Sequence, residues 1–312
     1  MMSLILRRLV QAVFVVWSVG TVSFIIMRLL PGDMAFRIAA GRYGYDHVNL
    51  AAAEAVALEL GLDQPVLLQY LNWLWDLLRF NLGESMVSGL PVTREVGHLM
   101  EYTLLLAGVA ILIAALIALP IGIYAAIRAN GWFDRLSLFG SAFLRAQPVF
   151  VIGLILILIF ALEMRMFPVA GFGGMEYVVL PAISLALAMA AVSSRVVRHS
   201  AFGVVRSAFF QFSRIKGLSY RQSFARHGMR NFALPVVAFM GIQLVSLIEG
   251  IVMIESLFSW PGVGHGLAHA IFARDVPMIQ GAALAMGLIF VGLNLLVDIA
   301  CYWIDPRGRV AE

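Results

Sequence analysis

Charge is what this sequence lacks most. Asp, Glu, Lys and Arg make up 13% of its 312 residues, where a soluble domain carries about 25%. A surface that must dissolve in water cannot be assembled from so few charges. A soluble enzyme, a disordered chain and a nucleic-acid binder are therefore excluded, although the net charge is +4. Cysteine is nearly missing as well: Cys301 stands alone, which excludes an internal disulfide and a multi-thiolate metal cluster. The one lysine, Lys216, sits between Ile215 and Gly217, so there is no G-x-x-x-x-G-K-[ST] loop to cradle a nucleotide phosphate. The glycine run Gly262-Val263-Gly264-His265-Gly266 follows an apolar stretch, not a β-strand, and so is no dinucleotide fingerprint. The chain has no H-E-x-x-H and no aspartate pair within its apolar stretches, so intramembrane proteolysis has no machinery and no residue is assigned as catalytic. His265 and His269 share an i, i+4 spacing, but two imidazoles are too few for a closed metal site, and no metal is expected.

Apolar residues, by contrast, make up 62% of the chain, with a mean hydropathy of +0.92. A spanning helix needs about 20 of them in succession. Six stretches qualify, at about 9–30, 102–127, 136–162, 177–197, 233–257 and 278–304. Their apolar content is continuous, not alternating, which disfavours a β-barrel. The first follows Arg7 and Arg8, lacks a small-residue cleavage site and outruns a signal-peptide core, so it is expected to be retained. With the N-terminus inside, 14 of the 22 Lys and Arg fall on one side. The loop after the fourth span alone brings Arg195, Arg198, Arg206, Arg214, Lys216, Arg221, Arg226 and Arg230. The other side holds Arg37, Arg42, Arg79 and Arg94 among acids such as Asp33, Asp46, Glu54, Glu59, Asp63, Asp76 and Glu84. The positive-inside rule then predicts an all-α integral membrane protein with six transmembrane helices and both termini in the cytoplasm. Its parts are a first helix (1–30), an outer, partly helical segment (31–100), a core of five helices (101–305) and a short inner tail (306–312). The outer segment carries Tyr70, Trp73 and Trp75, suited to a helix at headgroup level. The inner segment at about 199–232 is strongly basic and holds no acid.

That basic segment reads Gln211-Phe212-Ser213-Arg214-Ile215-Lys216-Gly217-Leu218-Ser219, then Arg226-His227-Gly228-Met229-Arg230-Asn231-Phe232-Ala233-Leu234-Pro235. It resembles the coupling loop of permease subunits in bacterial ABC importers of the oligopeptide/dipeptide/nickel type. Other runs resemble the family in order and spacing: Leu30-Pro31-Gly32-Asp33, Leu60-Gly61-Leu62-Asp63-Gln64-Pro65 and Leu82-Gly83-Glu84-Ser85. Later come Phe258-Ser259-Trp260-Pro261-Gly262-Val263-Gly264, Arg274-Asp275-Val276-Pro277, Leu293-Asn294-Leu295-Leu296-Val297-Asp298 and Asp305-Pro306-Arg307. The large outer segment after the first span resembles the first permease of the family's pair. One departure is Gln211-Phe212-Ser213 where many such permeases have Glu-Ala-Ala. The resemblance implies the type I importer permease fold in a bacterial inner membrane. It implies a second homologous permease, two ATP-binding subunits that carry ATP and Mg, and a periplasmic or lipid-anchored substrate-binding protein. Closure of the ATPases would draw the coupling loops together and open the path outward. The implied coupling residues are Arg214, Lys216, Gly217, Leu218, Ser219, Arg226, His227, Asn231 and Pro235. Trp260, Pro261, Gly262 and Gly264 are implied for docking of the binding protein. The substrate class is peptides, with nickel, metal chelates or glycoconjugates as alternatives.

Elementary chemistry supports part of this independently. Glycine tolerates φ > 0 and ends helices, so helix–Gly217–helix is a rigid turn, with Pro235 as a helix start. The competing reading is a basic juxtamembrane patch that binds anionic membrane lipid. Ionisable groups inside spans line a path or pair with each other. Arg145 falls near mid-depth of the third span with Gln147 and Pro148 after it, where proline opens a helix. Glu249 and Glu255 fall in the outer half of the fifth span. These groups face either a central path or the partner subunit, and Asp298 is expected to pair with a loop arginine. A stand-alone secondary transporter would want an inverted repeat, which the two halves do not display.

Overall fold

The computed structural model describes residues 2–29, 32–44, 49–59 and 61–304. Among them the chain is helical, and the only β-bridge joins Glu84 to Pro91. Two compact units emerge: Met1–Thr103 with Pro261–Val291, and Leu104–Trp260 with Gly292–Glu312.

The first unit opens with α1 (Met2–Leu29). Three short helices follow: α2 (Met34–Tyr43), α3 (Leu50–Glu59) and α4 (Val66–Leu78). Asp33 caps α2, its carboxylate accepting from the Ala35 N–H at 2.8 Å. Ile38 and Ala39 of α2 bury themselves against Ala53 and Val56 of α3, a small apolar core for an otherwise polar segment. In α4, Tyr70 and Trp73 turn towards α1: Tyr70 Oη lies 2.8 Å from Thr21 Oγ1, and the Trp73 ring packs on Gly20, where a Cβ would collide. Trp75 instead stays exposed beneath the Arg79 guanidinium. A second core joins the start of α5 (Val92–Ile127), α12 (Val263–Ala273) and the start of α13 (Val276–Ile304) through Val92, Val96, Val263, Ala270, Met278 and Ala282. Because Val92 and Val96 are in that core, α5 begins ten residues before the expected span.

The second unit is built on α8 (Val179–Arg206), the most deeply buried of the long helices. Around it are α6 (Trp132–Ala146), α7 (Val149–Leu156) continuing as a wider i→i+5 turn over Ile157–Glu163, and α11 (Met229–Leu257). Close approach relies on small residues, as is usual for helices in lipid. A Cβ on Gly122 of α5 would come within 2.6 Å of Ser194 and Val197 of α8, and one on Gly153 of α7 within 2.9 Å of Leu257.

Among the described residues five helices are long and apolar enough to cross a membrane, at Ile5–Ile26, Val92–Ile127, Met175–Arg206, Tyr220–Ile248 and Val276–Ile304. The expected third span is different: it is the pair Trp132–Ala146 and Val149–Glu163, bent by 101°. The break falls at Gln147–Pro148. Gln147 is extended (φ −90°, ψ 134°) because the ring of a following proline disfavours the helical conformation, and Pro148 offers no N–H. Pro235 corrects another expectation. It starts no helix but lies inside α11, which begins six residues earlier at Met229. Arg195 and Arg198, assigned by sequence to the basic loop, are residues of α8. The 306–312 tail and the motif residues Leu30, Pro31, Leu60 and Asp305 to Arg307 lie outside the described residues.

Candidate functional site

The basic segment folds into a knob of short helices. After Arg206 the chain turns at Ser207, whose N–H and hydroxyl both donate to the Val204 carbonyl, and α9 (Ala208–Ile215) begins. It ends at Lys216 and Gly217; the Gly217 N–H donates to Arg214 O at 3.0 Å with φ +90°. Arg214 Nη1 reaches across the turn to the Leu218 carbonyl at 2.7 Å. Ser219 then starts α10 (Tyr220–Ser223) through a reciprocal capping box with Gln222. A wide turn over Phe224–Gly228 leads into α11.

The knob has an inner and an outer face. Inside, Phe210 and Phe232 are buried with Ala126, Val197, Ala201, Val204 and Val236, and Phe224 packs against them. The Phe210 ring meets Tyr220 edge-on at 5.2 Å, and Gly228 allows Val204 to approach where a Cβ would not fit. Burying a phenylalanine contributes roughly 1.5–3 kcal/mol, so this face fixes α9 to α8 and α11. Outside, Arg214, Lys216, Ser219, Arg226 and His227 are exposed, and Ile215 is 82% exposed. Lys216 sits over the exposed Phe212 ring at 4.6 Å. Of the sequence-predicted coupling residues, Arg214 to Ser219, Arg226 and His227 thus share one knob. Asn231 and Pro235 lie further along α11, exposed.

The other candidates scatter. Arg145 is exposed in the last turn of α6, beside the Gln147 break. Glu255 is fully buried near the end of α11. The Glu249 side chain lies outside the described ones. In the second unit Trp260 is fully buried, edge-on to Phe172 at 5.1 Å. In the first unit Gly262 and Gly264 are buried, and the Thr103 hydroxyl accepts from the Val263 N–H at 2.8 Å. The large apolar side chains exposed on α12 are Ile271 and, at 86%, Phe272. His265 and His269 bring their Nε2 atoms to 3.1 Å, and burial, then the neighbouring His269, lowers the His265 pKa.

Two polar clusters went unrecognised in the sequence. In the first unit, buried Asp275 accepts from the Ser85 hydroxyl at 2.6 Å and from the Met278 N–H at 3.2 Å. That bond joins two of the family-like runs. In the second unit, buried Asp134 binds both Arg195 and Arg198. The i, i+3 spacing of those arginines, which places them on one helix face, was the available signal.

The described residues are helical, with several helices long and apolar enough to cross a membrane and an exposed basic knob, the architecture of a multi-span membrane protein. The comparisons make the class particular: residues 118–310 match the family of binding-protein-dependent transport system inner membrane components, and residues 1–88 match the N-terminal region of such components. The chain belongs to this family. It is 35% identical to a Brucella abortus protein named as a peptide transport system permease, over 99% of both chains. It is also 35% identical to the glutathione transport system permease protein GsiC of Pectobacterium atrosepticum and 33% identical to GsiC of Escherichia coli, again over 99% of both chains. The protein is therefore a multi-pass ABC importer permease of a bacterial inner membrane, one component of a larger transport complex. A stand-alone secondary transporter is set aside.

Proposed function

We propose that the chain forms half of a translocation path for peptides or related small solutes, and that ATPase motion enters it through the α9–α10 knob. A second homologous permease completes the path. Two ATP-binding subunits, holding ATP and Mg, dock on the knobs, and a periplasmic or lipid-anchored binding protein delivers substrate. The relatives' names, peptide and glutathione transport, favour peptides over nickel. One observation carries the coupling role: the knob is rigid inside and offers arginines and a bare Ile215 outside. A push on α9 is transmitted through Phe210 to the ends of α8 and α11, whereas a flexible loop would absorb it. Within the first unit, exposed Phe272 and Ile271 of α12 are available to receive the binding protein, whereas Trp260 is buried.

Gly217→Val tests this. Nothing lies within 4 Å of a Cβ at 217, so the substitution meets backbone strain alone, about 1–3 kcal/mol. The spans should insert and the binding protein should keep its affinity. Uptake into reconstituted vesicles should fall together with substrate-stimulated ATP hydrolysis, or hydrolysis should continue without transport. Gly217→Asn, which tolerates positive φ, should retain more of both. Normal uptake with normal stimulation in the valine variant would remove the knob from coupling and leave a lipid-binding basic segment.

A further inference from the structure

The ion cluster between α6 and α8 borders a cavity that the coupling role does not use. Asp134, in the first turn of α6, has its acceptors occupied. Oδ1 takes Arg195 Nη2 at 3.1 Å and Arg198 Nε at 2.8 Å. Oδ2 takes Arg198 Nη2 at 2.6 Å and the Asn130 N–H at 3.0 Å. Arg195 Nη1 also reaches Ser137 Oγ at 3.3 Å. Beside this lies a cavity of about 430 Å³ whose lining adds Arg135, Leu138 and His199. Three guanidiniums face a single carboxylate there, so the cavity is positively charged even with Asp134 ionised.

We propose that this cavity binds the phosphate headgroup of an anionic phospholipid. Guanidiniums match phosphate oxygens two at a time, and basic pockets between membrane helices suit acidic headgroups. Depth fits as well. Arg195 is sixteen residues beyond Val179, about 24 Å along the helix and close to the far edge of a hydrocarbon core about 30 Å thick. The choice of a lipid over free phosphate follows from what flanks the cavity. Leu138 lines the cavity itself, Leu136, Phe139 and Phe143 are exposed along another face of the same helix, and Trp132 at its start is 75% exposed. An amphipathic ring at a helix end and apolar side chains along the helix are what acyl chains and headgroups meet at an interface. Free phosphate would gain nothing from them.

The test uses the full chain, delipidated in an uncharged detergent. Phosphatidylglycerol, phosphatidylethanolamine and inorganic phosphate are titrated separately, and bound lipid is counted by native mass spectrometry. Phosphatidylglycerol should occupy one site about tenfold more tightly than phosphatidylethanolamine, whose ammonium cancels the charge of the same phosphate, the scale of one or two arginines facing a net negative headgroup. The variant Arg135→Gln/His199→Gln leaves the Asp134 trio intact and should lose most of that preference with its melting temperature unchanged. Equal affinity for the two lipids, or unaltered binding by the variant, would overturn the site. Displacement of the lipid by an equal concentration of inorganic phosphate would overturn the lipid as its source. In cell membranes holding the whole transporter, a photocrosslinker at Leu138 should yield adducts of phospholipid mass. Adducts to another polypeptide instead would mean that this face packs against a subunit.

Discussion

The knob and the Ser85–Asp275 junction are held together by opposite means. The knob closes on a ring of aromatic and aliphatic side chains between Val197 and Val236, joined by Ala126 of α5, with its charges turned outward. The junction ties residues 190 positions apart through one buried carboxylate and one hydroxyl. An apolar ring is non-directional and tolerates small shifts, which suits an element that must be pushed. A buried charged hydrogen bond is directional and fails all at once when a partner is lost, which suits an element that must keep its shape.

The largest expected effect breaks the ring. Phe210→Ala removes a fully buried aromatic side chain and should cost about 3–5 kcal/mol, read as a lower melting temperature in detergent and poor membrane yield. Next comes the junction. Asp275→Ala leaves the Ser85 hydroxyl and the Met278 N–H without their acceptor and should cost about 1–3 kcal/mol. Ser85→Ala removes the hydroxyl that donates to Asp275 and also the Oγ that accepts from the Val87 and Ser88 N–H groups, so its loss should be of the same order. A loss near zero would mean that the carboxylate is held by other groups and that the contrast with the knob is overdrawn. The outer face of the knob separates stability from function. Ile215→Asp touches nothing inside, so stability should move by no more than about 0.5 kcal/mol, while co-purification of ATPase subunits and uptake both drop. A variant that melts early but still recruits the ATPases would show that Ile215 supports the knob instead of meeting a partner.

Much of this was legible in the sequence for a physical reason: local features announce themselves locally. Apolar run length gives the spans, Gly217 gives the positive-φ turn, and Pro148 gives the break that the structure realises as a 101° bend. Misreadings arose where tertiary packing prevails. Pro235 was read as a helix start, yet α11 begins at Met229, where buried Phe232 adds to the knob's apolar ring. Arg195 and Arg198 were read as loop charges because basic residues cluster after them, but Asp134, about sixty positions earlier, holds them in α8. The resemblance implies Trp260 for docking of the binding protein; its ring is buried against Phe172. Separation along the chain hid the Ser85–Asp275 bond in the same way.

The smallest effect sharpens the comparison from the frame side, through pH. His265 is partly buried, and burial together with the nearby His269 lowers its pKa below the ordinary imidazole value of about 6.5. The unfolded chain, with its ordinary pKa, therefore takes up a proton first as pH falls. Stability supplied by neutral His265 is intact above about pH 6.5 and declines as the pH drops below it. Melting temperature measured from pH 7.5 downward should fall more steeply for the native chain than for His265→Asn, whose side chain does not titrate. Other carboxylates and histidines contribute to both curves alike, so the difference between them isolates His265. Burial is the larger cause, so His269→Ala should retain most of the native slope. If His269→Ala flattened the curve as fully as His265→Asn, repulsion within the pair would be dominant. The α12 surface would then be held by electrostatics and not by packing.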